Sequence, residues 1–275
     1  MVQEEKYNYI TPEVLKNIYQ DIYDTEAKAL KVINDYYFND KYVVFAKSEE
    51  VRGQDEKLDK AFITMTHGNK TIKAYPEFLI SDARPTRRYI DIRKVENEFH
   101  KLLLHGRNAY EKRVKELATE FGYKEEKITG AFQYPNKVIL YVNNIMEPAK
   151  TDYEFKTCLD RIIVHELVHF VHYQFIKLIG QNYWGSRKLP DARTTVIECL
   201  ARWMEYKWLC KKLGDELEAR RIILDELEDK TYPFYPYEAA RVYIEREKNP
   251  AKLLRISATS WEDAYKQILK DDDRI

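Results

Sequence analysis

The chain has 275 residues, of which 44% are hydrophobic and 33% are charged, so it can bury a core and is not expected to be disordered. Its 46 basic and 46 acidic residues give a formal net charge of zero, which argues against nucleic-acid binding through bulk positive charge. The sequence shows no signal-like apolar start and no run of 18 apolar residues. We therefore expect a cytoplasmic protein that binds neither nucleic acid nor membranes.

The first half of the chain is predicted to mix helices with short strands. Helical spacing of apolar residues and β-branched or aromatic runs place the helices at residues 12–37 and 86–121, and the strands at residues 42–45, 62–65, 128–132 and 138–143. Gly122 is a natural stop for the second helix, which would break at Gly106, and Gly68 with Asn69 predicts a turn.

The second half is predicted to be almost entirely helical. Its helices are expected at residues 153–180, 193–213 and 215–227, from residue 237, and after Ser260, which caps the last one with Asp263 at the third helical position. A mixed first half followed by a helical second half predicts an α+β fold with helices segregated from a small sheet.

Three cysteines, Cys158, Cys199 and Cys210, cannot all pair with one another. Cys199 and Cys210 lie about three turns apart on one predicted helix, which is too far for a disulfide bond. We therefore expect reduced thiols in the core.

His165, Glu166 and His169 form the sequence HELVH inside a predicted helix. Residues four positions apart share a helix face, so the two imidazoles can bind one ion. Glu166 projects beside that ion, where it can take a proton from a water whose pKa zinc has lowered. The alternative is an ordinary solvated helix face, although chance places HExxH in only roughly one such chain in a hundred. We predict one zinc ion per chain, with Glu166 as the catalytic base.

A catalytic zinc needs a third protein ligand and an open position for water. No histidine follows His172, so a ligand further along the chain is a carboxylate or a cysteine. Glu198, which lies 29 residues after His169 in the sequence VIECLARW, is the leading candidate. Glu205 can alternatively hydrogen-bond a histidine ligand. The other candidates for the third ligand are His172, Asp191, Glu205 and Cys199.

The HELVH segment followed by ECLARW resembles the gluzincin metallopeptidases, whose downstream EGLA-like motif carries the third zinc ligand. Cys199 stands where glycine is common in that motif. The resemblance implies a zincin-like α+β fold, in which a small mixed sheet, a backing helix and an active-site helix precede a mainly helical C-terminal half. Residues 109–122 look like the backing helix, and residues 137–142 resemble the strand at the edge of the cleft.

The resemblance covers residues 105–269. We expect residues 101–275 to form the metallopeptidase core with its helical subdomain. Residues 1–100 match no known pattern, and we expect an N-terminal α/β region of open role that can complete the sheet or form a lid. The sequence around Tyr237 is similar to the helical tail of peptidase-MA-like members. In that comparison Tyr237, or else Tyr235, donates a hydrogen bond to the oxyanion, and the alternative is an aromatic pair in the core.

These residues together predict a zinc-dependent hydrolase that cleaves a peptide or protein substrate. The strand at residues 138–143 would bind an extended substrate by β-augmentation, and Trp184 would line the cleft. The alternative function is a zinc-binding regulatory or interaction module with a gluzincin-like site and little peptidase activity. A third possibility is an α+β protein that binds no metal.

Overall fold

Helices make up most of the structure, and short strands form small sheets. The computed structural model describes residues 11–38, 43–50, 59–89, 107–122, 124–180, 192–229 and 236–271. Its helices are α1 (Pro12–Tyr37), α2 (Arg107–Phe121), α3 (Val142–Met146), α4 (Asp152–Ile179), α5 (Ala192–Leu213), α6 (Glu216–Asp229), α7 (Pro236–Glu245), α8 (Ala251–Ser257) and α9 (Trp261–Asp271). Its strands are β1 (Val43–Glu50), β2 (Asp59–His67), β3 (Lys70–Ala74), β4 (Glu77–Ser81), β5 (Thr86–Tyr89), β6 (Lys124–Lys127), β7 (Gly130–Gln133) and β8 (Lys137–Tyr141).

The strands of the described residues pair in three separate sheets. Strands β1, β2 and β3 form an antiparallel meander. The second sheet has the order β4-β8-β7, with β4 parallel and β7 antiparallel to β8, so it is a small mixed sheet. Strands β5 and β6 form a two-stranded ribbon. The general prediction of an α+β fold with a small mixed sheet and a helical C-terminal half is confirmed.

Two local predictions were wrong. Residues 86–89 form strand β5 rather than the start of a helix, and residues 90–106 lie outside the described residues. The extended conformation is stabilised by an ion pair across the ribbon, in which Arg87 Nε donates to Glu126 Oε2 at 2.8 Å. The strand predicted to end at residue 143 ends at Tyr141, because Asn144 in α3 donates to the carbonyls of Pro85 and Ile128 and so turns the chain.

The first of two compact units contains Met1–Thr86 and Lys127–Gln174. Its buried side chains come mainly from α1, β2, β8, α3 and the first part of α4. Thr25 of α1 donates a buried hydrogen bond of 2.7 Å to Asp160 of α4, which fixes the register of these two helices. Strand β4 lies within the first hundred residues and pairs with β8, so this region does complete a sheet. The predicted division of the chain at residue 100 stays a prediction.

The second unit contains Arg87–Glu126 and Phe175–Ile275. Helix α5 is central to it and packs against α6, α7, α8 and α9. Gly214 follows the last residue of helix α5, and its φ of 68° suits the position just after a helix C-terminus. Ser260 Oγ accepts a hydrogen bond from the backbone N–H of Asp263 at 3.1 Å, which confirms the predicted cap of α9.

Helix α4 is long and apolar enough to cross a membrane by length and composition, and 83% of its most apolar window is buried in the molecule. Core helices of soluble proteins meet the same criteria, so this is weak evidence for a membrane span. The cytoplasmic location and the absence of membrane binding stay predictions.

Candidate metal centre

Helix α4, which carries the HELVH sequence, has clear signals at both ends. Thr151 Oγ1 accepts from the backbone N–H of Glu154 at 3.1 Å, and the Glu154 carboxylate accepts from the backbone N–H of Lys150. These two hydrogen bonds cap the start of the helix. Gly180, with a φ of 82°, follows its last residue. The predicted helix is confirmed, and its side chains are therefore held on a rigid element.

The polar side chains of HELVH are buried within this helix. His165, Glu166 and His169 are only 8%, 5% and 6% exposed, and Leu167 between them is fully buried. Burial of three polar side chains is costly unless they have partners, so their clustering indicates a site rather than a solvated helix face. The alternative of an ordinary surface position for these residues is wrong.

The two imidazoles point at one location. Their Nε2 atoms lie 3.0 Å apart, and the ring planes are nearly perpendicular. A tetrahedral zinc with Zn–N bonds of about 2.05 Å sets its two nitrogens about 3.3 Å apart, so a small adjustment of the rings suits an ion. The two histidines lie four residues apart on one helix and therefore present their imidazoles to one location, as the sequence predicted.

Glu198 supplies the third ligand atom of this group. One ligand atom from each of His165, His169 and Glu198 lies within 4.8 Å of the other two. Two imidazoles and one carboxylate form a donor set of catalytic zinc sites, which leaves one coordination position open. The donor set and its spacing fit a metal ion, and these three residues can hold one.

Helix α5 positions Glu198 from a buried segment. Val196, Cys199 and Leu200 are fully buried around it, whereas Glu198 itself is half-buried. The helix is therefore anchored on both sides of the ligand. Burial raises the pKa of the Cys199 thiol well above its usual value, so this residue is a protonated core thiol.

The other candidates for the third ligand fall outside the group that the described residues form. His172 is fully buried in α4 and does not belong to it. Glu205, predicted as a partner of a histidine ligand, binds Arg202, whose Nη1 lies 2.9 Å and 3.1 Å from its two carboxylate oxygens. Asp191 lies outside the described residues.

Strand β7 approaches the general-base candidate closely. A Cβ atom built on Gly130 would lie 2.9 Å from Glu166 Oε1 and 2.6 Å from Ile162 Cγ2. The Glu166 carboxylate is thus packed against the backbone of β7. Gly130 was not among the residues predicted from the sequence, although a glycine inside a strand pattern is a signal of close backbone approach.

The same strand continues along α4 beyond Gly130. Phe132 contacts Phe170 and Tyr173, with ring centroids 6.3 Å and 6.0 Å away. Gln174 Nε2 then donates to the carbonyl of Pro135 at 3.0 Å. These contacts fix β7 along the helix that carries the two histidines.

The predicted edge strand was assigned to the wrong element. Strand β8, at residues 137–141, lies between β4 and β7 and so has neighbours on both sides. Within the described residues, β7 pairs only with β8 and is the edge strand next to Glu166. The physical reason is that β4, distant in sequence, pairs with the other side of β8.

Two further predictions, the oxyanion donor and the cleft-lining role of Trp184, concern residues whose side chains are not described. Tyr237 lies in the first turn of α7, and its role as an oxyanion donor stays a prediction. Tyr235 and Trp184 lie outside the described residues. The backing helix is present as helix α2, and its predicted role stays a prediction.

Comparisons of the chain with protein-family models, with curated proteins and with solved structures gave no match.

Proposed function

We propose that this chain is a zinc metallopeptidase of the gluzincin type that hydrolyses peptide bonds in a peptide or protein substrate. The observation that supports it most is the group of His165, His169 and Glu198, whose ligand atoms lie within 4.8 Å of one another. Glu166 lies on α4, the helix that carries both histidines. Two neutral imidazoles and a carboxylate bind zinc with one position open, as a hydrolytic site requires.

A zinc ion held by these ligands would lower the pKa of a water molecule towards neutrality and polarise the scissile carbonyl. Glu166 accepts the proton of the attacking water and then delivers it to the leaving amine. Its carboxylate suits this role because it is only 5% exposed and is confined between α4 and the backbone of β7. A confined carboxylate is held close to the position that proton transfer needs.

The substrate would bind along the edge of β7. Within the described residues this strand pairs only with β8, so its other edge has no strand partner there, and its Gly130 lies against Glu166. An extended peptide can add a strand there through main-chain hydrogen bonds, which gives affinity with little sequence preference. We therefore propose an extended peptide segment as the substrate class.

The first experiment is elemental analysis of the purified protein and of Glu198→Ala. We expect about one zinc per chain in the wild type and much less in the variant, because the two remaining imidazoles are only two of the three protein ligands that a catalytic zinc needs. The matched control is Glu120→Ala, an exposed glutamate on α2, which should keep its zinc. No zinc in the wild type after reconstitution would refute the metal site.

The second experiment is a peptide-library digest read by mass spectrometry. We expect turnover by the wild type and about 10³-fold less by Glu166→Gln, while both hold zinc, because the amide cannot accept the proton. The same two proteins distinguish an enzyme from a regulatory zinc module. Full zinc occupancy with no turnover of any peptide by the wild type would favour the module.

A further inference from the structure

Gly130 differs from Gly68, Gly122 and Gly214 in what surrounds it. Gly68, Gly122 and Gly214 have φ between 59° and 73°, and a Cβ on any of them would meet nothing within 4 Å. These three glycines are explained by backbone conformation. Gly130 has an ordinary strand conformation, and a Cβ there would meet two side chains of α4 within 3 Å. The presence of glycine at position 130 is explained by the space that Ile162 and Glu166 occupy.

The two side chains that fill this space differ in how easily they can move. Ile162 Cγ2, 2.6 Å from the Cβ position, belongs to a β-branched residue whose methyl group is fixed close to the helix backbone. Glu166 Oε1, at 2.9 Å, is the far end of a flexible side chain, and Glu166 Cγ lies at 3.1 Å, so the side chain must turn as a whole. A methyl group at position 130 would therefore strain the packing mainly through Ile162, and would displace the Glu166 carboxylate.

We propose that Gly130 is a positioning residue for Glu166. Its missing side chain leaves the volume in which the carboxylate lies, and the backbone of β7 forms one wall of that volume. The inference rests on the proposed function only in so far as Glu166 moves the proton. The contact itself is a property of β7 and α4, whatever the chain does.

The consequence for turnover follows from the small tolerance of proton transfer for misplacement. An error of about 1 Å in a reacting group costs on the order of 10²-fold in rate. Gly130→Ala should therefore lower kcat by roughly 10- to 100-fold, with KM within about twofold of the wild type, because the strand that binds substrate stays in register. Zinc content should be unchanged, since the substitution touches no ligand.

Ile162→Ala separates the two contacts, because it removes the Cγ2 atom and leaves Glu166 intact. Gly130→Ala alone should lower Tm by about 3–8 °C, as overpacked cores do. In the Ile162→Ala background this penalty in Tm should largely disappear, whereas the loss in kcat relative to Ile162→Ala should persist. Recovery of kcat together with Tm in the double variant would show that Gly130 acts only through packing, and would overturn the proposal.

Crystal structures of the zinc-loaded wild type and Gly130→Ala/Ile162→Ala give a measurement that does not depend on turnover. We expect the Glu166 carboxylate to shift by about 0.5–1 Å while His165 and His169 keep their places. A carboxylate within coordinate error of its wild-type position would overturn the proposal, even if the variant is slow. If the wild type cleaves no peptide, the proposed function fails and this structural comparison still decides the role of Gly130.

Discussion

Helices α4 and α9 show two different relations between sequence and burial. In α9 the buried residues recur at helical spacing, at Trp261, Ala264, Tyr265 and Ile268, and the charged side chains lie between them. In α4, by contrast, almost every residue from position 159 to 176 is buried, including Glu166 and His169. A charged residue in α9 therefore covers the surface, whereas a charged residue in α4 is kept despite the cost of burial. The comparison teaches that polar side chains carry functional information mainly where burial makes them costly.

The sharpest contrast between these helices is a change from glutamate to glutamine. Glu166→Gln in α4 should lower peptide turnover by about 10³-fold, because general acid–base catalysis contributes about 10²–10⁴-fold. The matched change in α9, Glu262→Gln, should leave kcat/KM unaltered. Both variants should keep wild-type zinc content by elemental analysis. Equal activities for the two variants would contradict the claim that Glu166 of α4 is functional whereas Glu262 of α9 is not.

Metal removal should destabilise the protein only while the ligands of α4 are intact. Bound metal at about 1,000 times its Kd stabilises a protein by about 4 kcal/mol, which corresponds to a Tm shift of about 10 °C in a chain of this size. We expect a chelator to lower the Tm of the wild type by about that amount. His169→Ala should start at the lower Tm and show no response to the chelator. If the chelator does not change the Tm of the wild type, that result would contradict metal binding.

The buried hydrogen bond between α1 and α4 should contribute less to the free energy of unfolding than the bound metal, and more than a surface charge. Asp160 is 4% exposed and accepts from Thr25 at 2.7 Å. Asp160→Ala leaves this hydroxyl buried without its acceptor, so we expect a loss of about 2–3 kcal/mol in the free energy of unfolding by urea titration. Lys266→Ala, on the exposed face of α9, should change it by less than about 0.5 kcal/mol.

The smallest effect is expected at the cap of α9. Ser260→Ala removes the acceptor of the Asp263 N–H, which lies 3.1 Å from Ser260 Oγ, and should cost about 1 kcal/mol. Ser260→Asp keeps an acceptor and should be close to the wild type. Zinc content and turnover should be the same for all three proteins. A change in turnover with Ser260→Ala would mean that α9 is not the purely structural helix that its burial pattern indicates.

The candidate site was predictable because its signals are local or nearly so. The two histidines lie four residues apart on one helix, and Glu198 follows in a second helix whose pattern is readable. The sheet was less predictable. Strand β4 pairs in parallel with β8, about 60 residues later, and such a pairing is decided by tertiary contacts rather than by either segment.

Short charged strands were also missed for a physical reason. Strand β6 has the sequence KEEK, which on its own is typical of a solvated helix face. It is extended because it pairs with β5, and Glu126 and Glu125 form ion pairs with Arg87 and Arg88 across that ribbon. Gly130 was missed in a similar way, since only the position of α4 shows what its side chain would strike. Sequence patterns identify which face is buried, but not which neighbour lies there.

The buried thiol beside Glu198 has a practical consequence. Cys199 is fully buried, whereas Cys158 and Cys210 are only partly buried. Alkylating reagents must reach the sulfur atom, so they should modify Cys158 and Cys210 first. The native chain thus offers two attachment points for a spin label or a fluorophore while the residue next to a metal ligand stays unlabelled. Distance measurements between two such labels can follow the molecule through metal loading without any engineered cysteine.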